Sequence, residues 1–310
     1  MKALRIKTLI VLWLALGAAC THNPKEPTDT PTSGEITIAC ADNFRNVLSA
    51  SIDAFHAHNE KAFIIPLFLP ENEVIALLLN DSVRLAIAAR DLTPAERRGL
   101  EPNRVIRKYI VAFEGIAIVG NKTNTDTLLT VPQLKKILLG EITDWNQINP
   151  KSKLGKIQVL FDSQESSVLQ FVADSVAGRS DSLSPNLFAA KGIADLRDKI
   201  AALPGAIGIL GFNQLGNETT KTHKEFMQKN RFMWLAHNDT AQAALPFAGD
   251  LHKGEYPLWR PIYALLGEIR NGLPKGFTFF LTQDIGQKVI LKAGLMPIAD
   301  PQNILLQVGE

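Results

Sequence analysis

The chain has 310 residues, with 33 Lys and Arg against 31 Asp and Glu for a net charge of +2, and only two cysteines. Three of the positive charges (Lys2, Arg5, Lys7) lie within the first 19 residues, so the remainder carries a net charge of −1, which argues against a nucleic-acid or polyanion surface. Two cysteines exclude a disulfide framework and a zinc site built on thiolates.

Met1 to Ala19 combines a basic start with an apolar run from Leu9 to Ala15, too short to span a bilayer comfortably, and reads as an export signal. Leu16, Gly17, Ala18 and Ala19 precede Cys20 in the manner of a lipobox, with the aliphatic residue one place earlier than usual. Cys20 is the expected lipid attachment site and the first residue of the mature chain. Residues 20–34 contain three prolines and no aliphatic side chain; they read as a disordered tether that spans at most about 40 Å. With Cys20 acylated, Cys40 has no intramolecular partner and is expected to be a small buried packing residue.

About 275 residues follow, enough for one large or two smaller domains, and none of their segments is long and apolar enough to span a membrane. Glu35–Ala41 reads as a strand that runs through Asp42 and Asn43 into a helix bearing Phe44, Val47, Leu48 and Ile52. Ala62–Phe68 is a second strand, Glu73–Leu79 a helix, and Val83–Ala89 a third strand followed by Arg90. Strands alternating with helices imply a mostly parallel sheet covered on both faces, with ligands beyond the carboxyl ends of the strands. Glu96, Arg97 and Arg98 read as a solvated helix face.

Val111–Val119 is a long apolar strand with Glu114-Gly115 inside it, suggesting passage between lobes. Val131–Leu139 is an amphipathic helix. In Ile157–Val172 a strand enters a serine-rich turn and a helix, where free backbone N–H groups and hydroxyls can hold an anion, although on this stretch alone Ser163 or Ser166 as a plain helix cap is the simpler reading. Leu203–Phe212 is a buried glycine-rich strand. Residues 213–240 carry little signal, His252–Leu266 is extended, and Phe277–Leu291 reads as one amphipathic helix. Six histidines are present without a His-Glu-x-x-His or Gly-x-Ser-x-Gly motif, and His56 and His58 do not share a helix face, so no catalytic residue and no metal ligand is assigned. Trp145, Trp234 and Trp259 are expected to be packing anchors.

The order EGIAIV, TVPQLKKILLGEITDWNQI, a Ser-Ser helix start, PGAIGIL, GEYPLWRPIY and GFTFFLTQDIGQKVILKAGLMPI resembles the periplasmic phosphate-binding protein family, the PstS-type receptors of ABC importers. The likeness runs from Ile36 to Ile298. It implies an α/β type II periplasmic-binding-protein fold of two lobes, each a mostly parallel sheet flanked by helices, joined by hinge strands: residues 35–118 and 259–310 in one lobe, 119–258 in the other. A dehydrated oxyanion, phosphate first, would be held between them by hydroxyls, backbone N–H groups and an arginine. No cofactor and no catalysis is implied. The partner would be a membrane permease, and the protein a monomer facing the periplasm that touches membrane only through its anchor.

Carried over position by position, the resemblance marks Asp42, Asn43, Arg90, Glu165, Ser166 and Ser167 as ligand-binding. Cys40, Ala41, Asp42 and Asn43 stand where the family has a hydroxyl-rich run, and Asp162 to Leu169 stand where it has a serine and threonine between two arginines. Asp42 and Glu165 therefore place carboxylates where the anion would sit. Like charges there repel unless one accepts a proton from the oxyanion. The alternative is a receptor of the same fold that has lost the anion site and binds another solute, with Asp42, Asp162 and Glu165 reading an amine or cation, or an envelope protein partner.

Overall fold

The computed structural model describes residues 28–100, 104–178 and 183–299; the export signal, Cys20 and most of the tether lie outside the described residues. Strand β1 (Gly34–Ala41) turns through a single 3-10 turn at Asp42–Phe44 into α1 (Arg45–His58), followed by β2 (Ala62–Leu69), α2 (Glu71–Leu79), β3 (Leu85–Ala88) and α3 (Pro94–Arg98). β1 lies between β2 and β3, parallel to both. Its alternation decides the layers. Ile36, Ile38 and Cys40 pack with Val47, Leu48, Ile52 and Phe55 of α1, whereas Ala39 joins Val74, Ile75 and Leu78 of α2 on the other face. Cys40 is fully buried among apolar side chains, the packing position expected of it, and burial pushes its thiol well above the ordinary range.

Strand β4 (Arg107–Asn121) is fifteen residues long, about 50 Å at strand rise. Its first part pairs with a later strand, and its second part enters another layer of structure. That layer holds β5 (Leu128–Thr130), α4 (Val131–Leu139), β6 (Gln158–Phe161), α5 (Ser167–Val172), β7 (Leu187–Ala189), α6 (Ile193–Ala202), β8 (Ala206–Gly211), α7 (Lys221–Lys229), β9 (Asn230–Phe232), β10 (Trp234–Ala236) and α8 (Ala248–His252). α4 occupies the expected residues because both ends are coded locally: Thr130 and Gln133 form a capping box, and Gly140 takes the left-handed φ of 77° that closes the helix. Trp145 is the expected anchor, buried with its indole N–H on the Gly205 carbonyl at 2.8 Å, whereas Trp234 and Trp259 are 44% and 42% exposed.

The chain returns through β11 (Trp259–Leu266), α9 (Leu273–Thr282), α10 (Asp284–Lys292) and β12 (Met296–Pro297). The main sheet runs β2-β1-β3-β11-β4-β8-β6-β7. Its outer pairs are parallel, and the central pairs made by β11 and β4 with their neighbours are antiparallel. β11 and β4 lie side by side, so the two strands that connect the halves are hydrogen-bonded to each other along Arg107–Gly115. Each half has its own apolar cores.

Three expectations need correction. The helix expected over Phe277–Leu291 is two helices broken at Gln283, whose backbone is extended. The Gln287 side chain bonds the carbonyls of Val111 and Leu281 and holds the break, and Gly286 lies so close to Phe280 that a Cβ there would be 2.2 Å from its carbonyl oxygen. His252 ends α8 before the extended segment begins. The tether expected to run to Gly34 is fastened from Asp29 onward.

Asp29 bonds Arg84 at 3.0 Å, contacts Arg270 and accepts the Leu273 N–H at 2.7 Å, so it also stabilises the first turn of α9. Burial alone would raise its carboxyl; the Leu273 N–H and the two guanidinium groups outweigh this and hold it below the usual range. A lowered folded value adds stability that is fully present above the ordinary carboxylate pKa of about 3.9 and is lost as pH falls through the folded value. Asp29→Asn should therefore cost roughly 2 kcal/mol at pH 7 and flatten the loss of stability below pH 4, read by urea unfolding across pH. An unchanged wild-type acid slope in the variant would refute the clamp.

A candidate ligand cleft between the two halves

One cleft of about 840 Å³ opens where the carboxyl ends of the strands of both halves face each other. The first half contributes the turn after β1 with the start of α1 (Asp42, Asn43, Arg45, Asn46) and the end of β2 with the start of α2 (Phe68, Leu69, Pro70, Glu71). The second contributes the turn after β6 (Asp162 to Ser167), the turn after β7 (Ala189 to Ile193), Lys199 and Gln214. Five of the six expected binding residues are brought together here: Asp42, Asn43, Glu165, Ser166 and Ser167.

Arg90 is not among them. Its guanidinium forms a two-pronged bridge to Glu96, 2.9 Å on each side, and donates to the Asp91 carbonyl at 3.2 Å. Glu96 is fixed for this by its own capping box with Thr93 at the start of α3. The bridge to Arg90 pulls the Glu96 carboxyl down and the arginine up. The expected solvated face of Glu96 and Arg97 is thus a set of ion pairs, Arg97 going to Asp91. Lys108 also reaches Asp91, at 2.6 Å.

The carboxylates of the cleft are mostly answered. Asp42 bonds Arg45, its Nε at 2.9 Å, while the same guanidinium lies 4.4 Å over the Phe68 ring. Both side chains are more than half exposed, so this pair neutralises charge and adds little stability. Glu71 accepts the Ala89 N–H at 2.5 Å, tying the end of β3 to α2. Asp162 accepts from the Gln214 amide at 3.0 Å through Oδ2, while Oδ1 is buried without a hydrogen-bond partner among the described residues. Glu165 is exposed.

Among donors, Asn43 holds its Nδ2 buried in the cleft wall without a hydrogen bond to the described residues. Ser166 is the cap of α5, its Oγ accepting the Leu169 N–H at 3.4 Å, which is the plainer of the two roles expected for it. The Ser167 Oγ accepts from Arg260 at 3.1 Å. Lys199 is engaged by Asp195 at 2.9 Å and by the Ala189 carbonyl at 3.2 Å. Lys191 uses its backbone N–H on Asp195, and its ammonium makes no hydrogen bond to the described residues. Its charge helps to lower the Asp195 carboxyl, together with Lys199, so Lys191 lines the cleft as a cation held by charge and not by a hydrogen bond.

The sequence reading missed Arg45, Glu71, Lys191, Lys199 and Gln214. Lys191 follows the end of β7 as Asn43 follows β1, so the strand-end rule would have found it had that three-residue strand been visible. Among the described residues no group of three or more His, Cys, Asp and Glu side chains is placed to hold a metal ion, and no helix is long and apolar enough to cross a membrane.

A family model described as a PBP superfamily domain matches residues 25–284. The phosphate-binding protein PstS of Bacillus subtilis is 24% identical over 94% of this chain and 93% of its own length. An ABC-type phosphate transport receptor from Vibrio cholerae superposes with a TM-score of 0.66 at 22% identity, covering 85% of this chain and all of that one. A high-affinity periplasmic phosphate-binding protein solved with phosphate bound superposes at 0.65 and 14% identity, over 89% and 93% of the two chains. At such identities the superpositions speak to the fold.

Because Arg90 is committed to Glu96, Arg90→Ala should lower stability by about 1 kcal/mol and change ligand affinity less than twofold. Thermal unfolding and ligand titration of the one variant check both; a tenfold loss of affinity would return Arg90 to the site.

Proposed function

We propose that this chain, which belongs to the PBP superfamily, is an extracytoplasmic receptor that captures phosphate between its two halves for delivery to a membrane permease, acting by binding and not by catalysis. The observation that carries the reading is the cleft's donor set: Asn43 Nδ2 from the first half, and Ser163, Ser166, Ser167 and Lys191 from the second, all lining one space. Named phosphate-binding relatives along almost the whole chain support it. A stripped anion needs charge-assisted bonds in place of its water, and Lys191 supplies the charge.

The unpartnered Asp162 Oδ1 gives the site a preference among anions. Hydrogen phosphate carries a proton that such an oxygen can accept. Sulfate at neutral pH carries none and would meet bare negative charge. The cleft is far roomier than one tetrahedral anion, so binding needs approach of the halves about β4 and β11, and ligand stabilises the closed arrangement by contacts made only there. In this reading residues 35–118 with 259–299 form one lobe and residues 119–258 the other, and Cys20 carries the lipid that keeps the monomeric receptor at the membrane.

Isothermal titration of the purified protein should give saturable binding to phosphate and none to sulfate at the same concentration. Lys191→Ala should weaken phosphate about tenfold. Asp162→Asn should bring sulfate and phosphate to within about threefold of each other by replacing an acceptor with a donor. No heat and no Tm shift at millimolar phosphate would overturn the phosphate reading and favour a solute that the exposed Glu165 and Asp162 can recognise.

A further inference from the structure

We propose that Arg260, in the hinge strand β11, is a positioning residue that presents the Ser167 hydroxyl to the ligand as a one-way hydrogen-bond donor; this rests on the oxyanion reading above. Arg260 is 1% exposed and reaches two structures at once. Its Nε donates to Glu114 Oε2 at 2.8 Å, with Nη2 at the same distance from that oxygen. Its Nη1 donates to the Ser167 carbonyl at 2.8 Å, and Nη2 to the Ser167 Oγ at 3.1 Å. The rings of Phe44 and Phe171 flank the guanidinium at 5.9 and 5.8 Å.

The consequence lies in the direction of one proton. A hydroxyl oxygen that accepts from a cation must aim its own hydrogen elsewhere. Ser167 lines the cleft, and no described protein group accepts that hydrogen. It is therefore offered to whatever fills the cleft. A hydroxyl free to rotate can greet either a donor or an acceptor, whereas this one greets an acceptor, as an anion oxygen is.

A lysine cannot replace the fork, because a single ammonium does not span Glu114 and both Ser167 atoms in one plane. The geometry has no slack on its far side either, for a Cβ on Gly211 would lie 2.0 Å from Glu114 Oε1. Since Arg260 and Glu114 are directly paired across β11 and β4, the serine takes its position from the hinge and not only from its own half.

Two comparisons test this. In the ligand-free protein, hydrogen exchange over residues 160–172 should speed up at least fivefold in Arg260→Lys, which keeps a cation beside Glu114, while the rest of the second half stays as in wild type; unchanged exchange would overturn the grip. In phosphate titrations, Ser167→Ala should cost about tenfold in the wild-type background and less than twofold in Arg260→Lys. Equal losses in both backgrounds mean that the serine acts independently and overturn the proposal. Should Arg260→Lys not fold, Arg260→Gln with Glu114→Gln, which leaves no buried charge, carries the same comparisons. If wild type takes up no phosphate, the phosphate reading falls, and the exchange comparison still decides whether Arg260 holds the turn.

Discussion

Glu114 and Arg260 sit opposite each other on the two strands that join the halves, without access to water. Ions in such a place are tolerable only if nearly every lone pair and N–H is answered, and here that condition organises the middle of the molecule. Glu114 takes Arg260 on one oxygen and the Asn213 amide on the other; Arg260 takes the start of α5 with its remaining face. Burial pushes the Glu114 carboxyl up, and the neighbouring guanidinium opposes the push. The pair fixes where the floor of the cleft lies relative to the crossing strands. Removing either partner would leave an uncompensated charge in the core, a loss of roughly 3–5 kcal/mol that the surrounding side chains cannot repair.

Around that floor, the cleft has settled most of its charges internally. Asp42 with Arg45, Glu71 with a backbone N–H, and Lys199 with Asp195 are closed transactions. What stays without a hydrogen bond among the described residues is a short set of groups: an amide hydrogen pair on Asn43, the Lys191 ammonium whose charge Asp195 shares, serine hydroxyl hydrogens, and one carboxylate oxygen on Asp162. Such a residue of unmet donors around a single unmet acceptor is the complement of a protonated oxyanion. It also separates the side chains that bind from those that merely share the neighbourhood, which charge type alone does not.

Much of the fold was legible because its signals are local. Thr130, Gln133 and Gly140 bound α4 to the residue, and the apolar run in Glu35–Ala41 predicted the strand that the structure shows. The apolar run and helical spacing either side of Asp162 to Ser167 located the second half's turn. What was not legible depends on partners distant in sequence or in an unread element. That Arg90 lies outside the cleft lining was not legible because its partner, Glu96, sits on a helix whose charges look solvated until α3 is folded against the β3 turn. The break at Gln283 has no proline to announce it, and Gly286 alone did not interrupt the apolar spacing; the break is held by Gln287 reaching back to Val111 and by the close approach that Gly286 permits. Arg260 lay within a quoted motif, yet its chemistry depends on Glu114, 146 residues earlier.

The first half is completed last. Its main core needs Leu273, Phe277, Leu281 and Ile290 from α9 and α10 and the strand β11, all near the end of the chain, whereas the second half is one continuous insertion between β4 and β11. As the chain emerges, β1 to β3 wait with an open apolar face while the inserted half can close on itself. Long-range closure of this kind slows folding, because the ends of a large loop must meet before their contacts return anything. The face of the sheet under α2 needs only Leu265 as a buried residue from that late segment, whereas the face under α1 stays unfinished until the final helices arrive, so the two sides of the one sheet close at different moments.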